Sequence, residues 1–559
     1  MALNLKPPNS DSRPKRAPFL LSVLPAVIAW AAGATVFFRS LLFSGFDLMP
    51  GDRLDGRVIV YLHEHLFRWL LGDRSLTSPD FYHPQKGVLG YSDAFLLDVL
   101  PYSSLRLLGL DPYFSIAIMF VALSALCFFA SFFIFKRYLK LGASLAICGA
   151  ALATFPNDLY YKVNSGHLQF FAVYYIPPII LLVLWSLRNF PRVRARSIAG
   201  IAIASVLLGL LFSTGYYSAW MLGFTGLLAL VVFGIDQHRS VLLYLKSNAR
   251  SVVVVLGVAA LAFAVALIPF AIIYLPTVQT FPERPFQEYL LRAPVVGDMV
   301  NVSGSNYLWG PLVGALLGED QAANPEHTLA LTPGMTFIFL AVAYAAIRCK
   351  VGSREEARWI RLFALAAVLV FAGIWLLTLK VGELSGFWIV FRALPGAGAI
   401  RASARAQLLV GFWVVAALVL LIDRWVRGAS AESRNQRRII AIAVLGFCII
   451  EQVNVSRGTL SRSAEQAMLN AVPPLPRECE SFLVKDSRSL SEVDAMWISL
   501  TTGRPTLNGR SGGSPPGWRL ADPSADYSAE ARRWIARSSL SERVCLYDQA
   551  NRSWSFFSL

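Results

Sequence analysis

About eleven times along its 559 residues the chain runs apolar for the length a helix needs to cross ~30 Å of hydrocarbon. The runs lie near 19–42, 112–135, 141–155, 168–187, 198–214, 219–235, 252–275, 329–347, 362–379, 406–422 and 439–451. In lipid each backbone N–H and C=O must find a partner within its own segment, so runs of this length fold as helices. The sequence therefore predicts an all-α polytopic membrane protein of about 11 transmembrane helices. Residues 1–451 form its membrane domain, and 452–559 are too polar to join it.

The basic residues set the expected orientation. Lys6, Arg13, Lys15 and Arg16 precede the first run, and no small-residue cleavage site follows it, which reads as an anchor. Lys136, Arg137 and Lys140 lie in the next alternate connection, followed by Arg188–Arg196, Arg239–Arg250, Arg348–Arg361 and Arg424–Arg438. The positive-inside rule places these turns and the N-terminus in the cytoplasm. Loops 43–111 and 276–328, with the 452–559 tail, then face outward. Most of the net charge of +16 is this topological signal. Charge spread over short turns, not gathered on one domain, excludes nucleic acid as a partner.

Acidic residues are scarce, yet loop 43–111 holds Asp47, Asp52, Asp55, Glu64, Asp80 and Asp93 together with His63, His65 and His83. Segments 58–71 and 94–110 have helical apolar spacing and predict helices lying in the membrane interface. Asp52 or Asp55 could take a proton from an incoming hydroxyl, which is general-base work. The pair could instead share a divalent cation, Mg or Mn, or simply balance Arg53 and Arg57. His63-Glu64-His65 lacks the i, i+4 histidine spacing of a zinc helix, so His63 reads as structural and Glu64 and His65 as ligand-binding candidates. Gly166-His167-Leu168-Gln169 opens the fourth run, where His167 could hold phosphate or be an ordinary interfacial residue. Arg401 and Arg405, four apart, share a helix face at the start of the tenth run, where forked guanidinium donors suit phosphate oxygens or snorkel to the interface. The glycine-rich stretch around Asn508 has no strand–helix context for a nucleotide and reads as a flexible turn or an outer loop touching substrate. Cys479 and Cys545, alone in the tail, could pair in an oxidising compartment.

Gly51-Asp52-x-x-Asp55-x-Arg57, Glu64-His65, Phe81-Tyr82-x-Pro84, Tyr91-Ser92-Asp93, Gly166-His167-x-Gln169, the 400–405 segment and Asn508-Gly509-x-Ser511-Gly512 together resemble bacterial multi-pass proteins of the GT-C glycosyltransferase class. The resemblance implies a GT-C-like fold with a small extracytoplasmic α+β C-terminal region. It also implies transfer of a sugar from a polyprenyl-phosphate donor to a glycan, lipid or protein acceptor at the outer face of the bacterial inner membrane. It makes Asp52 the catalytic residue, with Asp55 behind it. Glu64, His65, Asp93, His167, Gln169, Arg401, Arg405 and Asn508 become the substrate-binding set. The first loop lacks the adjacent acidic pair of better-known relatives, so no metal ligand is assigned; Glu319-Asp320 in the second outer loop is adjacent but has no clear place. A transporter or flippase for a lipid-linked glycan, and a non-catalytic assembly factor, are the alternatives. Mid-span charge, which a transporter would need, is nearly absent.

Overall fold

The computed structural model describes residues 19–280, 284–348, 354–485, 489–538, 540 and 543–558; the N-terminal basic cluster lies outside them. Among the described residues, seven helices are long and apolar enough to span a membrane: Pro112–Tyr138, Leu168–Asn189, Ala195–Thr214, Tyr216–Ser247, Ala249–Ala266, Glu356–Thr378 and Ser403–Arg427. Val23–Phe37, Ile268–Thr280 and Pro333–Arg348 are shorter apolar helices. The expected 141–155 and 439–451 runs form helices Ala143–Thr154 and Ala431–Ile450. The expected single span over 252–275 is corrected, because the chain breaks into two helices at Leu267. Pro269 follows at once, and its ring lacks the N–H that a continuous helix would direct to residue 265.

Side-chain contacts sort the connections into two ends. At one end Arg358 pairs with Asp236 at 2.9 Å, Arg424 with Glu356, and Arg427 with Asp423 and the Lys140 carbonyl. Phe190 packs on Tyr244 there, so all five basic turns meet. At the other end a buried amide network ties three loops: Asn157 Oδ1 accepts from Asn306 and Asn454 Nδ2 at 2.9 and 3.0 Å, and the Asn157 N–H donates to Gln452 Oε1. The alternation of basic and non-basic connections thus has a physical counterpart at opposite ends of the bundle.

The interfacial placement expected of segment 58–71 is corrected. Helix Asp55–Leu70 is buried continuously from Gly56 to Phe67, walled in by the bundle on one side and the tail on the other. Tyr113 of the Pro112–Phe133 helix stacks on Trp497 of the tail at 5.1 Å, and the Trp497 indole donates to the Arg57 carbonyl. Arg57 is wholly buried and pairs with Glu465 at 2.7 Å and Asp494 at 2.6 Å. The second predicted helix shortens to Val99–Leu107.

The tail joins the loop through backbone as well as side chains. Leu48–Met49 pairs antiparallel with Leu460–Ser461. Tyr82 N–H donates to the Asn508 carbonyl, His83 N–H to that of Thr506, and Thr506 N–H to that of Asp80, all at 2.8–2.9 Å. Beyond this seam the tail carries a three-stranded sheet. Val544–Asp548 is central, parallel to Ser481–Val484 and antiparallel to Ser553–Phe556. Cys479 and Cys545 form a disulfide with their Cα atoms 5.7 Å apart.

Candidate functional site

Two glycines shape the chain around Asp52. Gly51 has φ +110°, and a Cβ on Gly56 would stand 3.1 Å from the Gly51 Cα, so the turn closes only without side chains. Asp52 Oδ1 accepts from the Gly56 and Leu54 N–H groups at 2.8 and 3.2 Å, fixing the carboxylate at the start of helix Asp55–Leu70. Burial raises its pKa, with the Gly56 bond opposing and the charge of Asp55 adding. Asp55 is more open and meets Arg510 of the tail at 2.9 Å.

On the other side Gly166, φ +98°, passes directly against Asp52; a Cβ there would lie 2.6 Å from Oδ1. Gly166→Ala therefore strains the backbone and displaces the carboxylate together. About 1–3 kcal/mol of lost stability and a large loss of activity are expected, read by thermal melting and transfer assay on the same preparation. Unchanged melting and activity would refute the contact.

The chain continues from Gly166 into a compact charged cluster. His167 Nε2 lies 3.6 Å from Glu326 Oε1, and burial, with the nearby Arg405 and Lys162 charges, lowers its pKa and keeps the ring neutral. Arg405 grips Glu326 with two donors, Nε to Oε2 at 3.0 Å. The guanidinium is clamped between the rings of Phe170 and Tyr217, at 5.1 and 4.8 Å. Lys162, wholly buried, sits 3.6 Å from Glu326 and donates to the Pro325 carbonyl. Burial pushes the lysine down to about 8. Burial alone would raise Glu326, but Lys162 and Arg405 outweigh it and hold that carboxyl well below the usual range.

Arg401 lies beside this cluster, its backbone N–H donating to Tyr217 Oη at 3.0 Å. Its guanidinium is 3.9 Å from Glu288, which Arg284 and Arg292 also approach, at 2.6 and 3.8 Å. Three cations around one carboxylate leave an excess of positive charge. Asp93 accepts from Tyr216 N–H at 3.1 Å; burial pushes it up to about 6, with Arg405 opposing. Gln169 Oε1 is buried without a hydrogen-bond partner.

Asp52, Asp55, Asp93, His167, Gln169, Arg401 and Arg405 thus gather at one end of the bundle. Three other expected residues do not join them. Glu64 is buried against Arg106 at 2.7 Å, with Arg68 and Tyr102 around it. His65 Nε2 meets the Leu76 carbonyl, and burial pushes its pKa down to about 4. Asn508 is enclosed, its Oδ1 accepting from Val484 N–H and its Nδ2 donating to Tyr527 Oη. Glu64 and His65 are spent on partners within the first loop and the Asn508 side chain on partners within the tail, so a substrate-binding role for them is withdrawn. His63, bonded to the Ile59 carbonyl and Asp98, has the structural place expected of it.

Lys162, Glu326 and Arg510 were not singled out from sequence. Lys162 did carry a signal, as the sole Lys or Arg between Lys140 and Arg188. Glu326 had only its position just before an apolar run, while the more conspicuous Glu319-Asp320 pair is exposed. A divalent-metal site does not fit this arrangement. Asp55 is taken by Arg510, Glu326 by Arg405 and Lys162, and among the described residues no three His, Cys, Asp or Glu side chains gather to hold an ion.

A helical membrane bundle whose polar end is capped by its first long loop and C-terminal region is a fold that this chain shares with a solved oligosaccharyltransferase, in keeping with the GT-C-like fold that the motifs led one to expect. The chain is similar to the Archaeoglobus fulgidus oligosaccharyltransferase in its apo form, with a TM-score of 0.50 and 12% identity over 95% of this chain and 69% of that one. It is also similar to that protein in complex with Zn and sulfate (TM-score 0.46, 12% identity, 93% and 67% covered). The third structure is ArnT from Cupriavidus metallidurans bound to undecaprenyl phosphate (TM-score 0.46, 14% identity, 87% and 85% covered). At these identities the likeness is one of fold. No family model matches the chain, and no curated protein matches its sequence.

Proposed function

We propose that this chain transfers a sugar from a polyprenyl-phosphate donor to an acceptor hydroxyl at the outer face of a bacterial inner membrane, with inversion. The observation that carries the proposal is the unbroken run of contacts from Asp52 through Gly166 and His167 to Glu326 and Arg405. It sets a carboxylate suited to proton transfer beside a cationic region suited to a leaving phosphate.

Asp52 Oδ2, which takes neither of the two backbone bonds, accepts the acceptor's proton as its oxygen attacks the anomeric carbon. The bond from that carbon to the phosphate oxygen breaks, and the phosphate leaves with the electron pair. Arg401 is the better direct phosphate ligand, because Glu288 is shared among three arginines and cannot neutralise them all. Arg405, already held by Glu326, contributes its field and its rigidity. Preorganised charge of this kind is worth most where water is excluded. The tail loop at Arg510 partly provides that exclusion.

Lipid and glycan mass spectrometry on a deletion strain and its complemented parent tests the proposal. A glycan or lipid one sugar lighter is expected in the deletion strain, restored by the wild-type gene and not by the Asp52→Asn form. Identical profiles in all strains would overturn it.

A further inference from the structure

Tyr217 stands between the two arginines of the polar end. Its hydroxyl oxygen accepts the Arg401 backbone N–H at 3.0 Å, and its ring lies 4.8 Å from the Arg405 guanidinium. The phenol is also within electrostatic reach of both guanidinium groups. The residue is partly buried, and among the described residues its hydroxyl makes no other hydrogen bond. A phenol can accept and donate at once, so the oxygen is engaged while its hydrogen is not.

The phenol is held in place by its surroundings. Tyr217 is the second residue of helix Tyr216–Ser247, whose start is pinned to the stretch that leads into Arg401. Tyr216 N–H donates to Asp93 Oδ1 at 3.1 Å, and the Tyr216 hydroxyl donates to the Gly396 carbonyl at 2.8 Å. One turn on, the Trp220 indole donates to the Pro395 carbonyl at 3.1 Å. Gly396 has φ +78°, and a Cβ there would stand 2.1 Å from Tyr216 Oη, so this close approach requires glycine. The Tyr217 O–H is therefore set beside Arg401 before any ligand arrives. A donor fixed in advance is worth most to a group that carries charge.

We infer that Tyr217 is a phosphate-binding residue, its O–H donating to the same phosphate that the Arg401 guanidinium receives. The inference rests on the reading of Arg401 as the phosphate ligand of the proposed donor. A phosphate oxygen gains from both groups, whereas a neutral hydroxyl in its place gains little from the cation. Tyr217 thus adds preference for the charged head of the donor, not affinity for its prenyl chain.

The test is calorimetric binding of farnesyl phosphate, a short polyprenyl phosphate, to the purified full-length protein in detergent, with farnesol as the uncharged probe. The wild type should prefer the phosphate, and Arg401→Gln should lose most of that preference. Tyr217→Phe keeps the ring beside Arg405 and should weaken farnesyl phosphate about tenfold, the usual worth of one hydrogen bond to a charged group, with farnesol unchanged. p-Aminophenylalanine in place of Tyr217 returns an N–H donor and should recover most of the binding. Equal melting temperatures show that the variants are folded. A wild type indifferent to the phosphate, or an Arg401→Gln protein that keeps the preference, overturns this inference together with the reading it rests on. If both behave as expected but Tyr217→Phe binds like the wild type, this inference alone fails. It fails equally if the phenylalanine protein loses farnesol and farnesyl phosphate alike, or if the amino variant recovers nothing, since the hydroxyl then acts only through the fold or through Arg401.

Discussion

Replacing Asp52 by Asn should lower the proposed sugar transfer by about 10²–10⁴-fold, the range that one general base contributes. The amide oxygen still accepts the Gly56 and Leu54 N–H bonds, so the turn and the melting temperature should survive. The pH profile of the wild type supplies a second readout. Because burial raises the Asp52 pKa, activity should fall as pH drops through a value above the ordinary range for aspartate. Stability runs the other way. A carboxyl with a folded pKa above its unfolded value favours the fold at low pH, and that contribution fades as pH rises from the unfolded value to the folded one. Asn at 52 should remove both limbs. Full transfer by the Asn protein would eliminate Asp52 as the base.

Glu326→Ala should be among the most destabilising single changes in the polar end, at about 3–5 kcal/mol, the usual cost of orphaning buried charge. Lys162 is wholly buried and Arg405 nearly so, and Glu326 is the carboxylate both of them contact. Glu326→Gln keeps shape and acceptor oxygen and should cost less. Adding Arg405→Met to Glu326→Ala should recover part of the loss, a coupling that a double-mutant cycle measures. Thermal melting in detergent reads all three. If the alanine protein melts with the wild type, the cluster does not hold this end together.

The bundle was legible because lipid allows the backbone so few solutions, and length with hydropathy then marks each helix. That Asp52 and Arg405 lie at the same end was inferable too, since charge alternation puts both there. What periodicity could not show was depth. Helix Asp55–Leu70 has the apolar stripe of an interfacial helix, yet its polar face is also covered, because Glu465 and Asp494 from the tail neutralise Arg57. Glu64 is nine residues from Asp55, about 14 Å along a helix, so a shared loop did not mean a shared site. Asn508 stands in a glycine-rich stretch that looks flexible but is zipped to residues 80–83. Glu326 escaped notice for the converse reason: its partners, Lys162 and Arg405, come from two distant stretches of sequence.

The Arg57–Asp494 pair joins residues 437 positions apart. At about 5–20 residues per second, a ribosome needs roughly 20–90 s to make that intervening stretch. During that interval the guanidinium lacks Asp494, so helix Asp55–Leu70 stays unsealed until that stretch of the tail has been made. A frameshift ahead of residue 465 would therefore injure the protein some 400 residues upstream, by stranding the Arg57 charge.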